Sequence, residues 1–338
     1  MPPIPRGRWA RLLTTGAAVT TIVLTATAAT PAGAIRPVIT RDFPDPAVLA
    51  VGSVYYAYST GSSYNGKPWH VPVMKSPSLT GNWAEVGDAL PDLPAWVTKE
   101  GVGHGSVWAP EVAARSDGSY ILYFTARAAN QNVQCIGVAL ADSPRGPFKG
   151  VGTKPLVCRP EDVDSIDPAA FTDTDGKQYL LYTSGRGKAT IWLQQVSTDG
   201  MTSIGERRAL IQSDRPEEAN IIEAPSLVRH GDKYILFYSG NAFNSGNYFV
   251  NYATSTSLAS TFVKHPGEFL NKDTLGGGLL NPGGETVVPG NKHDYLLFHA
   301  YYGGNQRAMF ASGLTWDSDN NPVLELNNLT KGAIPRKP

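Results

Sequence analysis

Three acidic side chains stand where a charge has no packing reason to be. Asp45 lies in Phe43-Pro44-Asp45-Pro46, Asp167 in Ser165-Ile166-Asp167-Pro168, and Glu223 in Ile222-Glu223-Ala224-Pro225. Each sits beside a proline at the head of an apolar run. Carboxylates gathered from distant parts of a chain repel one another, so at least one keeps its proton where another has lost it. An acid beside a base at neutral pH is what glycosidic bond cleavage requires. One carboxyl protonates the leaving oxygen while the other works from the opposite side of the sugar ring. If that second group activates water, the two stand roughly 6.5–9.5 Å apart and configuration inverts. Strand-start caps or calcium ligands would explain any one of these acids; all three at matching places in a repeat are harder to explain so.

Such acids need elements that bring them together, and an internal repeat supplies them. A short polar or acidic motif leads into an apolar strand, a glycine turn and a Tyr-rich strand. The Tyr-rich strands are Val54-Tyr55-Tyr56-Ala57-Tyr58, Tyr120-Ile121-Leu122-Tyr123-Phe124, Tyr179-Leu180-Leu181-Tyr182, Tyr234-Ile235-Leu236-Phe237-Tyr238 and Tyr295-Leu296-Leu297-Phe298-His299. Aligned on Pro46, Pro110, Pro168 and Pro225, the units are 64, 58 and 57 residues apart. A fifth, weaker unit begins at Pro282-Gly283-Gly284-Glu285. Each contains a hairpin with strand-like alternation, and more strands follow within it. Five units of about four antiparallel strands, with no convincing helix, predict an all-β, five-bladed β-propeller. A sandwich accounts poorly for the fixed period. In a propeller the innermost strands run along the axis, so Asp45, Asp167 and Glu223, read as equivalent positions, are expected to converge there.

Composition narrows the partner. Of 338 residues only 17% are charged, with 29 basic against 29 acidic, so no basic excess exists to bind nucleic acid or an anionic membrane. A neutral ligand fits better, and 7 Trp with 15 Tyr offer flat faces for the apolar side of a sugar ring. Residues 1–34 read as a secretory signal peptide: Arg6, Arg8 and Arg11, an uncharged stretch from Leu12 to Ala29, then Ala32-Gly33-Ala34. Secretion is expected, with residues 35–338 as one catalytic propeller acting as a monomer. The alternative for residues 1–34 is a membrane anchor. The two cysteines, Cys135 and Cys158, are expected to form a disulfide in an oxidising compartment rather than a metal site or a nucleophile.

The three acidic motifs and their blade order resemble glycoside hydrolase family 43 over essentially all the exported chain. That resemblance implies that Asp45 is the general base activating water, Glu223 the general acid, and Asp167 the neighbour that raises the acid's pKa and orients it. It also implies an inverting mechanism. Trp108, in Trp108-Ala109-Pro110-Glu111, walls the sugar pocket or fills a blade core. Phe43 is a candidate for substrate contact. His104, in Gly103-His104-Gly105-Ser106, enters the site or is a plain loop residue. Arg307 resembles an arginine that contacts sugar hydroxyls, with a solvated surface arginine as the alternative. His299 resembles a histidine that reaches the axis and holds calcium or another ion through water; a buried, satisfied histidine is the alternative. No cofactor is required for the chemistry, and a structural calcium at the axis is the one metal the resemblance raises. The family's fifth motif carries His-Gly-Ser where this chain has Gly283-Gly284-Glu285-Thr286.

Other classes fit less well. Retaining fructan-cleaving propellers carry Asn-Asp-Pro-Asn-Gly where Phe43-Pro44-Asp45-Pro46-Ala47 stands here. A sugar-binding propeller without activity would have lost one of the acids. Six scattered histidines show no zinc-site spacing, and no Gly-x-Ser-x-Gly nucleophile elbow occurs. The resemblance to family 43 implies a neutral, pentose-containing cell-wall polysaccharide such as arabinan or arabinoxylan as the substrate. Terminal L-arabinofuranose release is preferred, because the segments from Ser62 to His70 and from Asn241 to Tyr248 could narrow the funnel. β-Xylosidase and endo-arabinanase share the acids and are the alternatives.

Overall fold

The computed structural model describes residues 36–98, 107–129, 133–185, 187–290 and 293–326. The expected signal peptide and His104 lie outside them. Twenty-two strands form five four-stranded antiparallel sheets and one small hairpin. Blade I holds β1 (Ala47–Val51) and β2 (Val54–Tyr58), then the hairpin β3 (Ser62–Tyr64) and β4 (Lys67–Trp69), then β5 (Pro72–Ser76) and β6 (Ala84–Asp88). Blade II is β7 (Val107–Ala114), β8 (Tyr120–Arg127), β9 (Gln134–Ala141) and β10 (Lys149–Gly150). Blade III is β11 (Ser165–Thr172), β12 (Gln178–Ser184), β13 (Thr190–Val196) and β14 (Ser203–Gln212). Blade IV is β15 (Ile222–His230), β16 (Lys233–Gly240), β17 (Phe249–Ser255) and β18 (Val263–Lys264). Blade V is β19 (Leu280–Val288), β20 (Asp294–Tyr302), β21 (Gln306–Trp316) and β22 (Pro322–Glu325).

The first strand of each blade is innermost. β1, β7, β11, β15 and β19 touch one another in a closed ring and line the central channel. The expected five-bladed propeller is therefore the fold. The second strands read as nearly continuous apolar runs because each lies inside a blade covered on both faces. Phe237, Phe298 and Leu236 are fully buried. The core falls into five clusters, one at each blade-to-blade junction. Between blades V and I the chain segment before β1 pairs with β21, with Val38 N–H donating to Met309 O (2.8 Å) and Phe43 N–H to Arg307 O (2.8 Å). That pairing fastens the last blade to the first. Cys135 and Cys158 form the expected disulfide, tying β9 to the segment that leads into blade III.

Each innermost strand breaks at the repeated motif. The residue before the proline is left-handed in four blades: Asp45 (φ 51°), Ala109 (φ 40°), Asp167 (φ 55°) and Ala224 (φ 52°), with Gly284 (φ 58°) in the fifth. The ladder slips there between Trp108 and Glu111, Ile166 and Ala169, Glu223 and Ser226, and Gly283 and Thr286. Proline has no N–H to give a ladder, so it sits where the ladder is already interrupted. A non-glycine residue in this conformation costs roughly 1–3 kcal/mol, and such outliers gather at functional sites.

Candidate active site

An N–H at each left-handed residue needs a partner, and all five find one on the neighbouring blade. Thr60 Oγ1 accepts from Ala109 N–H (2.8 Å), Thr125 Oγ1 from Asp167 N–H (3.1 Å), Ser239 Oγ from Gly284 N–H (2.9 Å), and His299 Nδ1 from Asp45 N–H (3.1 Å). In blade IV the Ala224 N–H donates instead to Asp167 Oδ2 (2.9 Å). Four of the acceptors come from the end of a second strand or just past it, and between blades III and IV the innermost strand's Asp167 takes that part. His299 is the member that closes the circle.

The three acids meet at the mouth of the channel. Asp45 and Asp167 line the same cavity of about 140 Å³, and Asp167 grips the amide directly after Glu223. Glu223 corrects the sequence alignment. It stands one residue ahead of the left-handed position, opposite Ser239 in the ladder, whereas Asp45 and Asp167 occupy the left-handed position itself. Convergence holds; strict equivalence does not.

Their environments push them apart. Burial alone would raise Asp45, but Arg307, the buried His299 and the Thr60 hydroxyl together hold it well below the usual carboxylate range. Thr60 Oγ1 donates to its Oδ2 (2.5 Å), and the Arg307 guanidinium comes within 3.8 Å of its Oδ1. Glu223 is raised to about 7, by burial first and by repulsion from Asp45; a hydrogen bond from Tyr248 Oη to Oε1 (2.8 Å) pulls the other way. Asp167 is raised by burial, by Glu223 and by Asp45. One group stays ionised while another keeps its proton near neutrality, which is an acid and base pair ready for use. Asp45 thus raises Glu223, and Glu223 and Asp45 both raise Asp167.

The remaining candidates divide. Trp108 is 37% exposed and occupies in blade II the register that Glu223 occupies in blade IV, so it faces the mouth rather than a blade core. Arg307 lies between Asp45 and the exposed ring of Phe243, 5.1 Å from that ring's centre, and is not a solvated surface arginine. Phe43 overturns its expected role: its side chain is fully buried with Ile39, Tyr64 and Met309, leaving no face for a sugar. Only a proline separates it from the acid, which is why its neighbourhood misled.

His299 is buried and neutral, because desolvation depresses its pKa. Its Nδ1 faces both the Asp45 N–H (3.1 Å) and Asp45 Oδ1 (3.3 Å), and its Nε2 has no partner among the described residues. No group of three or more His, Cys, Asp or Glu side chains that could hold a metal occurs among the described residues. The donor set does not fit direct metal ligation.

Sequence reasoning passed over Thr60, Tyr248, Glu111 and Glu285 as working groups. Glu111 and Glu285 line the channel and burial raises each to about 8. The recurrence of Thr60, Thr125, Thr183, Ser239 and His299 just past each Tyr-rich core was the visible signal for the first. Tyr248 had no such signal.

With this geometry in place, comparison with known proteins decides the family. The description "Glycosyl hydrolases family 43" matches residues 34–322. The chain belongs to that family. It is 26% identical over 290 residues to an extracellular endo-α-(1→5)-L-arabinanase of Bacillus subtilis, covering 81% of this chain and 85% of that protein. It is 25% identical over 320 residues to an extracellular exo-α-(1→5)-L-arabinofuranosidase of Cellvibrio japonicus, covering 85% and 88%. Among solved structures, a thermostable family-43 glycoside hydrolase superposes with a TM-score of 0.74 at 26% identity, covering 90% of this chain and 98% of that one. This family-43 chain is thus a glycosidase.

Proposed function

We propose that the chain is a secreted, inverting hydrolase of α-L-arabinofuranosyl linkages in arabinan-type polysaccharide, releasing terminal arabinose. The observation that carries this reading is the opposed state of Asp45 and Glu223 at one channel mouth. Asp45, held as the anion by Arg307 and Thr60, takes a proton from water as that water attacks the anomeric carbon. Glu223 gives its proton to the departing glycosidic oxygen. Repulsion from Asp45 keeps that proton on Glu223, and Asp167, through the Ala224 amide, fixes the strand that carries it. No step needs a metal.

Two relatives support the substrate class, since one is named an arabinanase and the other an arabinofuranosidase. Both are also named extracellular, which supports reading residues 1–34 as a secretion signal. For terminal attack, the favouring observation is the loop that carries Phe243. Its ring, 43% exposed, stands over Arg307 and bounds the mouth beside blade V. The Ser62–His70 insertion contributes less, because its stacked Tyr64 and Trp69 fold onto the rim at Asp42.

Linear arabinan, arabinoxylan, nitrophenyl α-L-arabinofuranoside and nitrophenyl β-D-xyloside form the test panel, with proton NMR of the first-formed anomer. Arabinose as the early product, with inverted configuration, is expected. Mixed oligosaccharides from arabinan would favour the endo-arabinanase reading, and a retained anomer would sink the mechanism.

A further inference from the structure

Tyr248 lies at the end of the loop that begins at Asn241, and its side chain is 2% exposed, so it cannot touch substrate. Its hydroxyl donates to Glu223 Oε1 (2.8 Å). Its ring stacks on the imidazole of His299, with centres 5.9 Å apart and planes 15° from parallel. The other end of that imidazole accepts the Asp45 N–H. Glu223, Tyr248, His299 and Asp45 therefore form one continuous chain of contacts, running from the acid of blade IV to the base of blade I across blade V.

Two glycines make room for it. A Cβ on Gly283 would come within 2.0 Å of Tyr248 Cε1 and 2.5 Å of its Cδ1. A Cβ on Gly284 would come within 2.6 Å of both Asp45 Oδ1 and His299 Nδ1, at a φ of 58° that disfavours any side chain. The Gly283-Gly284 pair, unexplained as a stretch of sequence, is the floor on which the tyrosine and histidine rings lie.

We propose that Tyr248 is a positioning residue that fixes the general acid relative to the general base, with Gly283 and Gly284 as its required seat. This rests on Glu223 and Asp45 acting as acid and base. Burial and the nearby carboxylates keep the Tyr248 hydroxyl protonated, so it is always a donor to Glu223. A donor to a carboxylate favours the ionised form. Removing it leaves Glu223 both less fixed and harder to ionise.

The test is Tyr248→Phe, which keeps the ring and removes the hydroxyl, alongside Gly283→Ala, which keeps the hydroxyl and displaces the ring. Each is assayed on linear arabino-oligosaccharide, whose leaving group needs protonation, and on dinitrophenyl α-L-arabinofuranoside, whose leaving group does not. For Tyr248→Phe, kcat on the oligosaccharide should fall ~10- to 100-fold and on the aryl glycoside only a few-fold. The alkaline limb of kcat/KM should move up by about one pH unit. Gly283→Ala should show the same substrate bias and the same direction of limb shift. Equal losses on both substrates with an unmoved limb would reduce Tyr248 to packing and overturn the proposal. Wild-type protein inert on both substrates would instead refute the arabinofuranosidase reading.

Discussion

Thr60 makes two bonds with one oxygen, and replacing it by valine removes both without changing its shape. The hydroxyl donates to Asp45 Oδ2 at 2.5 Å and accepts from the Ala109 N–H at 2.8 Å. The first is a bond to a charge, worth about 1.5–3 kcal/mol. The second leaves a part-buried amide without its partner, at about 1–3 kcal/mol. Together the loss is about 2.5–6 kcal/mol, which corresponds to a Tm lowered by roughly 4–10 °C for a domain of this size. Asp45 also loses a group that favours its anion, so its pKa climbs back toward the usual range and the carboxylate is no longer held against rotation. Calorimetry at pH 7 on Thr60→Val and Thr60→Ser, with kcat measured beside it, reads both effects. Serine keeps the hydroxyl and should stay close to wild type. If the valine variant melts within about 1 °C of the serine variant, the inter-blade bond is worth far less than the geometry says and the reasoning fails.

The acid limb of activity should lie below the ordinary carboxylate range because Asp45 is depressed, and the alkaline limb near pH 7, where Glu223 ionises. Initial rates on nitrophenyl arabinofuranoside from pH 4 to pH 9 check the second. Glu111 and Glu285 are raised to about 8, so each binds a proton in the folded state that the unfolded chain has already lost. Stability should therefore fall as pH rises from about 4.5 to about 8, and Glu285→Gln should flatten that decline in a Tm-versus-pH series. A decline equally steep in the variant would rule Glu285 out as its source.

Much of the architecture was legible because a propeller repeats, and the repeat is written in strand composition. Doubly covered second strands have to be apolar on both faces, so Tyr120–Phe124 and Tyr234–Tyr238 announced themselves. The acids were legible for the opposite reason, as charges at the head of such strands. What the alignment missed at Glu223 is a matter of one residue: prolines mark the bulge, but which neighbour of the bulge turns inward depends on local backbone conformation. Phe43 was misplaced because proximity along the chain says nothing about direction; segment 38–43 pairs with β21 and turns that ring into the core between blades V and I. Tyr248 was invisible because its partners, Glu223 and His299, are 25 and 51 residues away, and nothing in its own neighbours advertises either contact.

The histidine that binds the backbone of Asp45 belongs to blade V, while Asp45 belongs to blade I. A chain without blade V lacks the group that holds its base in place. Holding the base in place thus waits on blade V and the closing of the ring, so closure of the propeller and readiness of Asp45 are one event.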